Sequence, residues 1–161
     1  MTRIFRYDVW NITYPRIVHV GANIGWFTLL AASHDHHVMA IEASPCNTRV
    51  LKANIQVNDH QSGGGHFSQE YISLKNAVVG RQSGGLVCMK QAIGDKNNAG
   101  NLKLHTNMES NSAESASAGT CRAAHLVHKT TLSTLLRDVP PGVIGFMKLD
   151  CEGCEPSALM G

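Results

Sequence analysis

Two stretches of sequence decide the fold: Ile17-Val18-His19-Val20-Gly21-Ala22-Asn23-Ile24-Gly25 and, further along, Ala40-Ile41-Glu42. The apolar run Ile17 to Val20, bounded by glycine, predicts a buried parallel strand. The glycine-spaced turn then opens a predicted helix from Ile24 to Ala32. A second apolar run, Val38 to Ile41, ends at an acid about twenty residues beyond the first glycine, a spacing typical of nucleoside-binding βαβ units.

Each part of this unit suits an adenosine-containing cofactor. Glycine lets the backbone approach a ligand closely, and the start of a helix offers free N–H groups. The carboxylate of Glu42 can bind two ribose hydroxyls. The motif that binds a diphosphate, G-x-G-x-x-G, has glycine at its middle and last conserved positions. This chain has Asn23 and Trp26 at those two positions. The turn therefore favours S-adenosylmethionine over NAD, although glycine-rich turns also occur without ligands.

Composition limits the other classes of protein. A length of 161 residues with 43% hydrophobic residues fits a single domain, residues 1–161. The net charge of +2 is too small and too scattered to predict nucleic-acid binding. The apolar runs are too short for a membrane span, and the amino terminus is unlike a secretory signal. Five cysteines without framework spacing favour a reducing, cytoplasmic environment.

The rest of the chain alternates strand and helix, which predicts an α/β fold with helices on both faces of a parallel sheet. Ser44-Pro45 is a favourable start for a helix that ends near Asn58, because serine caps and proline suits the first helical position. The remaining predicted elements are a third strand (Tyr71 to Val79), a short helix (Thr131 to Leu136), a fourth strand (Val143 to Leu149) and a helix near Pro156.

Two further features interrupt this pattern. Leu86 to Met89 and Leu102 to Leu104 flank a polar turn, Gly94 to Asn101, and predict an inserted β-hairpin. Residues 105–120 are rich in serine and alanine and predict a flexible loop. The chain stops soon after the fourth strand, so we expect a sheet truncated after that strand, with an open edge that favours self-association.

An ordered set of motifs resembles the FkbM-type S-adenosylmethionine-dependent methyltransferases over residues 17–161. The strongest motif is Lys148-Leu149-Asp150-Cys151-Glu152-Gly153-Cys154-Glu155-Pro156. The others are Val20 to Gly25 with Phe27-Thr28-Leu29, Ile41-Glu42 with Ser44-Pro45, Leu51 with Ala53-Asn54 and Asn58, Asn76 to Gly80, and Thr130-Thr131-Leu132 with Leu135.

The resemblance implies a Rossmann-like methyltransferase sheet and methyl transfer to an oxygen of a sugar or small metabolite. It places Asn76 and Ala77 near the adenine and Glu42 at the ribose. The family usually has an aspartate two residues before the first glycine, where this chain has His19. A neutral imidazole at that position could give the cofactor's ammonium a hydrogen bond, whereas a charged imidazole would repel the ammonium. The resemblance implies that the methionine part is lined by Gly21, Ala22, Asn23 and Gly25.

By the same resemblance, Asp150 faces the sulfonium methyl at the end of the fourth strand. Asp150 is therefore the candidate general base or positioning group for the acceptor hydroxyl, and Glu152 is the less favoured choice. A plainer interpretation is that both acids only cap the following helix.

Three alternatives remain at this point. Cys151 and Cys154 could form half of a zinc site with His125 and His128, but the paired motifs alone are weak, and we expect no metal. A non-catalytic, truncated methyltransferase-like protein that binds a cofactor or partner is a second interpretation. An NAD-linked Rossmann enzyme is a third, which Asn23 and Trp26 disfavour.

Overall fold

A computed structural model of the protein describes residues 16–61, 63, 65–90 and 124–161. Its strands are β1 (Arg16–Val20), β2 (His37–Glu42), β3 (Ile72–Asn76), β4 (Val78–Val79), β5 (Leu86–Lys90), β6 (Ala124–Thr130) and β7 (Ile144–Leu149). Its helices are α1 (Trp26–Ala32), α2 (Pro45–Gln61), α3 (Leu132–Leu135) and α4 (Glu155–Leu159). None of the described helices is long and apolar enough to cross a membrane.

The main sheet has four parallel strands in the order β3-β2-β1-β7. Its central strands are the apolar runs that the sequence predicted, and β1 is buried from Ile17 to Val20. Strands buried on both faces carry continuous apolar runs because helices cover each face of a parallel sheet. The predicted α/β class with a parallel sheet is therefore confirmed.

The two faces of this sheet bury separate apolar clusters. On one face Ile17 packs with Phe27 of α1 and Leu51 of α2. On the other face Val18 packs with Leu132 of α3 and Ala158 of α4. Because successive side chains of a strand point to opposite faces, β1 contributes to both clusters.

The predicted start of α2 is confirmed, whereas α1 begins at Trp26 and not at the predicted Ile24. Helix α2 begins at Pro45, and the hydroxyl of Ser44 accepts a hydrogen bond of 3.3 Å from the backbone N–H of Asn47. Thr131 caps α3 by accepting a bond of 3.1 Å from the N–H of Thr134. Each cap satisfies an N–H group that has no partner inside its helix.

The predicted third strand is wrong as one continuous element. Residues 72–76 pair with β2 in the main sheet, whereas Val78–Val79 pair with β6 in a second sheet of order β4-β6-β5. The last hydrogen bond of the pairing between β3 and β2 runs from the backbone N–H of Ala77 to the carbonyl of Glu42, 3.2 Å away. Beyond this bond, Val78–Val79 pair with β6 instead of β2.

The first strand of the predicted hairpin, Leu86 to Met89, corresponds to β5 of the second sheet. Strand β5 pairs antiparallel with β6, from Leu86 opposite His128 to Lys90 opposite Ala124. Strand β6 was not predicted from the sequence. The rest of the predicted hairpin and the predicted loop lie outside the described residues and remain predictions. These elements are the turn after β5, residues 102–104 and the loop 105–120.

Candidate functional site

The carboxyl edge of the main sheet brings most of the predicted site residues together. In the strand register, Ile41 and Leu149 both lie level with Val20, and Glu42 lies level with Asn76. The residues that follow these positions therefore meet at one edge of the sheet. They are Gly21, Ala22, Asn23, Glu42, Asn76, Ala77 and Asp150.

The turn after β1 is held by backbone hydrogen bonds. The N–H groups of Gly21 and Ala22 donate to the carbonyl of Ile41, at 2.9 and 3.0 Å. Gly21 has a positive φ of 81°. A Cβ atom at Gly21 would lie 2.0 Å from the carbonyl oxygen of Asp150. Only glycine therefore lets the backbone after β7 approach this turn.

Gly25 serves the packing of the two neighbouring helices. It precedes α1 with a φ of 99°, and a Cβ atom there would lie 2.0 Å from Cδ1 of Leu51 in α2. From the sequence, both glycines were expected to allow the close approach of a ligand. In the structure, contacts within the protein already require glycine at each position.

The carboxylate of Glu42 lies beneath the glycine turn and is only 7% exposed. Its Oε2 accepts a bond of 2.7 Å from the N–H of Asn23, and its Oε1 accepts one of 2.8 Å from the N–H of Ser44. The side-chain amide of Asn47 adds a bond of 3.4 Å to Oε1. A carboxylate has about four acceptor positions. One position on Oε2 therefore remains for a ligand hydroxyl.

Asn76 and Ala77 join the end of β3 to the end of β2. The side-chain amide of Asn76 donates to the carbonyls of Glu42 and Ala43, at 2.8 and 3.1 Å. Ala77 is 8% exposed. Both residues lie next to Glu42, where a nucleoside bound by that carboxylate would place its base. Their predicted contact with adenine remains a prediction.

His19 is buried on β1, with 3% of its surface exposed. Its Nδ1 shares a hydrogen bond of 3.0 Å with the hydroxyl of Thr28, and its ring meets Phe27 edge-on at 5.0 Å. Burial, aided by the positive charge of Lys148 and opposed by Asp150, lowers the pKa of His19 to about 4. The imidazole is therefore neutral at pH 7 and would not repel an ammonium.

Asp150 presents an exposed carboxylate at the end of β7. Its backbone N–H donates to the carbonyl of Val20 at 2.9 Å, which fixes it beside the glycine turn. Its Oδ2 pairs with Nζ of Lys148, 2.5 Å away. Glu152, the less favoured catalytic choice, is exposed and has a positive φ of 53°. The hydrogen bond to Val20 thus places the backbone of Asp150 directly beside the turn.

The partners that hold the edge in place were not predicted from the sequence. Lys148 could have been found, because residues two apart on a strand share a face and Lys148 precedes Asp150 by two. Glu155 accepts bonds of 3.0 and 2.8 Å from the N–H groups of Cys151 and Gly153. Its own N–H and these two donors lower the pKa of Glu155. No sequence spacing predicts such a loop contact.

The cysteines differ from the sequence prediction. Cys151 and Cys154 are bonded to each other as a disulfide, whereas Cys46 carries a free thiol. The disulfide was not expected from an odd number of cysteines in a reducing compartment. In the described part of the chain, no three potential ligands are grouped so as to hold a metal ion.

Comparison with known protein families identifies a match over most of the chain. Residues 19–161 match a family model described as "Methyltransferase FkbM domain". No curated protein matches the chain significantly. The matched region begins at His19 and includes Gly21, Glu42, Asn76 and Asp150, so it contains the whole edge described above.

Proposed function

The chain belongs to the FkbM methyltransferase family, and we propose that it transfers a methyl group from S-adenosylmethionine to a hydroxyl oxygen of a sugar or small metabolite. Methyl transfer in general follows from the family. The choice of cofactor and the oxygen acceptor are the proposal. They are supported by the glycine turn, the buried acid beneath it and the exposed acid beside it.

The position of Glu42 is the observation that carries the proposal. Its carboxylate contacts the glycine turn through Asn23 and retains one acceptor position on Oε2. A ribose hydroxyl bound there would place the adenosine over the ends of β2 and β3. Its remaining part would extend along the turn toward Asp150. This order of groups along the edge follows the order of adenine, ribose and methionine in the cofactor.

His19 gives a second indication that these residues fit the cofactor. Its Nε2 is buried and has no hydrogen-bond partner within the described residues. A buried imidazole nitrogen without a partner costs free energy, which a bound polar group can recover. Since the imidazole is neutral, its Nε2 can donate a hydrogen bond to the amino-acid part of the cofactor or accept one from it, depending on the tautomer.

The chemistry requires an acceptor hydroxyl aligned with the methyl donor. When bound, S-adenosylmethionine supplies an electrophilic methyl carbon. Asp150 is 65% exposed at its side chain and reaches solvent beside the turn. Lys148 holds Oδ2, which leaves Oδ1 to accept the proton of an acceptor hydroxyl. Asp150 would therefore orient the acceptor hydroxyl and take up its proton at Oδ1.

Cofactor binding is tested by calorimetry with S-adenosylhomocysteine and with NAD. We expect binding of the first alone. Glu42→Gln should weaken that binding about tenfold to a hundredfold, because hydrogen bonds to charged groups contribute about 1.5–3 kcal/mol. Glu70→Gln is the matched control, since Glu70 is exposed before β3 at the opposite edge. Failure of the wild-type chain to bind S-adenosylhomocysteine would refute the proposal.

The catalytic role is tested separately by turnover. S-adenosylhomocysteine release is measured with a panel of sugars and hydroxylated metabolites as acceptors. Asp150→Asn should lose transfer by about 100-fold or more while keeping the affinity for S-adenosylhomocysteine. Glu152→Gln should keep most of the activity. If the second variant loses activity and the first does not, the roles of the two acids are reversed.

A further inference from the structure

The loop between β7 and α4 contains the disulfide of Cys151 and Cys154, whose Cα atoms are 5.4 Å apart. The two cysteines differ in exposure. Cys154 is 7% exposed within the apolar cluster beneath α4, whereas Cys151 packs against the same cluster and is partly exposed. The bond closes a ring of four residues that begins directly after Asp150. The oxidation state of this ring therefore bears on the candidate site.

The ring is in direct contact with the glycine turn. A Cβ atom at Gly21 would meet the carbonyl oxygen of Asp150 at 2.0 Å and the Cα of Cys151 at 3.1 Å. There is no spare room between the two backbones. A change in the backbone at Cys151 is therefore transmitted to Gly21 by contact.

Two constraints hold the ring in its observed shape. Glu152 has a φ of 53°, a left-handed conformation that is unfavourable for a non-glycine residue. The carboxylate of Glu155 offsets this cost by accepting hydrogen bonds from the N–H groups of Cys151 and Gly153. The disulfide is the second constraint. When it opens, Glu155 alone must hold the left-handed residue in place.

We propose that Cys151–Cys154 is a reversible thiol–disulfide exchange site for a dithiol reductant, and that its oxidation state sets the order of residues 150–153 beside the glycine turn. The exchange itself is independent of methyl transfer. Its effect on cofactor affinity rests on the function proposed above.

The exchange proceeds in two steps that conserve atoms and electrons. A thiolate of the reductant attacks Sγ of Cys151, the more exposed cysteine, and the bond between the two protein sulfurs breaks. Cys154 leaves as a thiolate and takes up a proton. The second thiol of the reductant then attacks the mixed disulfide and releases Cys151. The reductant becomes a disulfide, and two electrons pass to the protein pair.

The first test uses the full chain in native buffer, with dithiothreitol as the probe. Alkylation and peptide mapping report whether residues 151 and 154 are reduced, and circular dichroism reports whether the fold is retained. Hydrogen exchange then compares the two states. Amides of residues 150–155 should exchange about tenfold faster after reduction. The upper limit is about twentyfold, the factor that loop-closure entropy gives for a four-residue ring.

Two variants sharpen this test. Cys151→Ser combined with Cys154→Ser should exchange like the reduced protein in either buffer. Cys46→Ser, which removes a free thiol in α2, should respond to dithiothreitol like the wild type. Equal exchange rates in the two states would overturn the proposal. A pair that reacts only after urea unfolds the chain would overturn it as well.

The second test measures S-adenosylhomocysteine affinity in both states by calorimetry. Reduction should weaken binding by a factor similar to the change in hydrogen exchange. Equal affinity in the two states would refute the link between the ring and the cofactor site. If neither state binds S-adenosylhomocysteine, the proposed function fails, and the hydrogen-exchange comparison alone decides whether the exchange site exists.

Discussion

The buried imidazole of His19 predicts a specific loss of stability in acid. Its pKa falls from 6.5 to about 4 on folding, mainly because burial disfavours the charged form. Above pH 6.5 the imidazole is neutral in both states. Below pH 6.5 the unfolded chain takes up a proton that the folded chain refuses. The contribution of His19 is therefore complete above pH 6.5 and is lost as the pH falls to 4.

The size of this effect follows from the shift. Each pKa unit corresponds to about 1.4 kcal/mol, so the shift of His19 corresponds to about 3 kcal/mol of unfolding free energy. The figure needs no large correction for solvent screening because His19 is only 3% exposed. Such a loss is a large fraction of the stability of a typical small domain.

The assay is urea unfolding of the wild type and His19→Asn at several pH values between 7 and 4. The difference in unfolding free energy between the two proteins should change by about 3 kcal/mol over this range, in the direction that favours the variant in acid. Thr28→Val is the control. It removes the hydrogen bond to His19 but keeps the burial, so it should lower stability by about 1 kcal/mol and keep the pH dependence. If the unfolding free energies of the wild type and His19→Asn fell by the same amount between pH 7 and 4, the reasoning would be refuted.

Three further substitutions, with Gly63→Ala as a control, test the packing around the site. Gly21→Ala should lower the unfolding free energy by about 3 kcal/mol, because it combines a positive φ with a clash against Asp150, whereas Gly63→Ala, with a positive φ but open space, should cost about 1 kcal/mol. Leu51→Ala should cost about 3 kcal/mol, because the side chain is fully buried between α2 and the sheet. Asn76→Asp should cost about 2 kcal/mol, since a carboxylate would face two carbonyl oxygens. Urea unfolding measures all of these changes. An unchanged unfolding free energy of the Gly21→Ala protein would contradict the close approach of the backbones of Gly21 and Asp150.

The sequence predicted the main sheet well because its strands are continuous apolar runs. Strands β1 and β2 each end where the apolar run meets a glycine or an acid, so their bounds were nearly correct. Strand β6 was missed for the opposite reason. It carries the polar residues His125, His128 and Lys129, and its partners β4 and β5 lie far away in the sequence. Pairing over such distances has no local sequence signal.

The candidate site was predictable in position but not in its contacts. Parallel strands end at one edge, so the residues that follow apolar runs had to come together there. The bond from the N–H of Asn23 to Glu42 depends on the shape of a turn. The pairing of Glu155 with the loop after β7 likewise depends on backbone geometry that residue types do not encode. Such contacts decide which atoms remain available to a ligand.

This distinction changes how the glycine turn should be interpreted. Gly21 is required by the backbone of Asp150 and Gly25 by the side chain of Leu51, so packing alone accounts for both glycines. Preference among cofactors must then come from the groups that line the turn. The carboxylate of Glu42 occupies the N–H of Asn23 at 2.7 Å and places negative charge there. A diphosphate bound at this turn would therefore lack that donor.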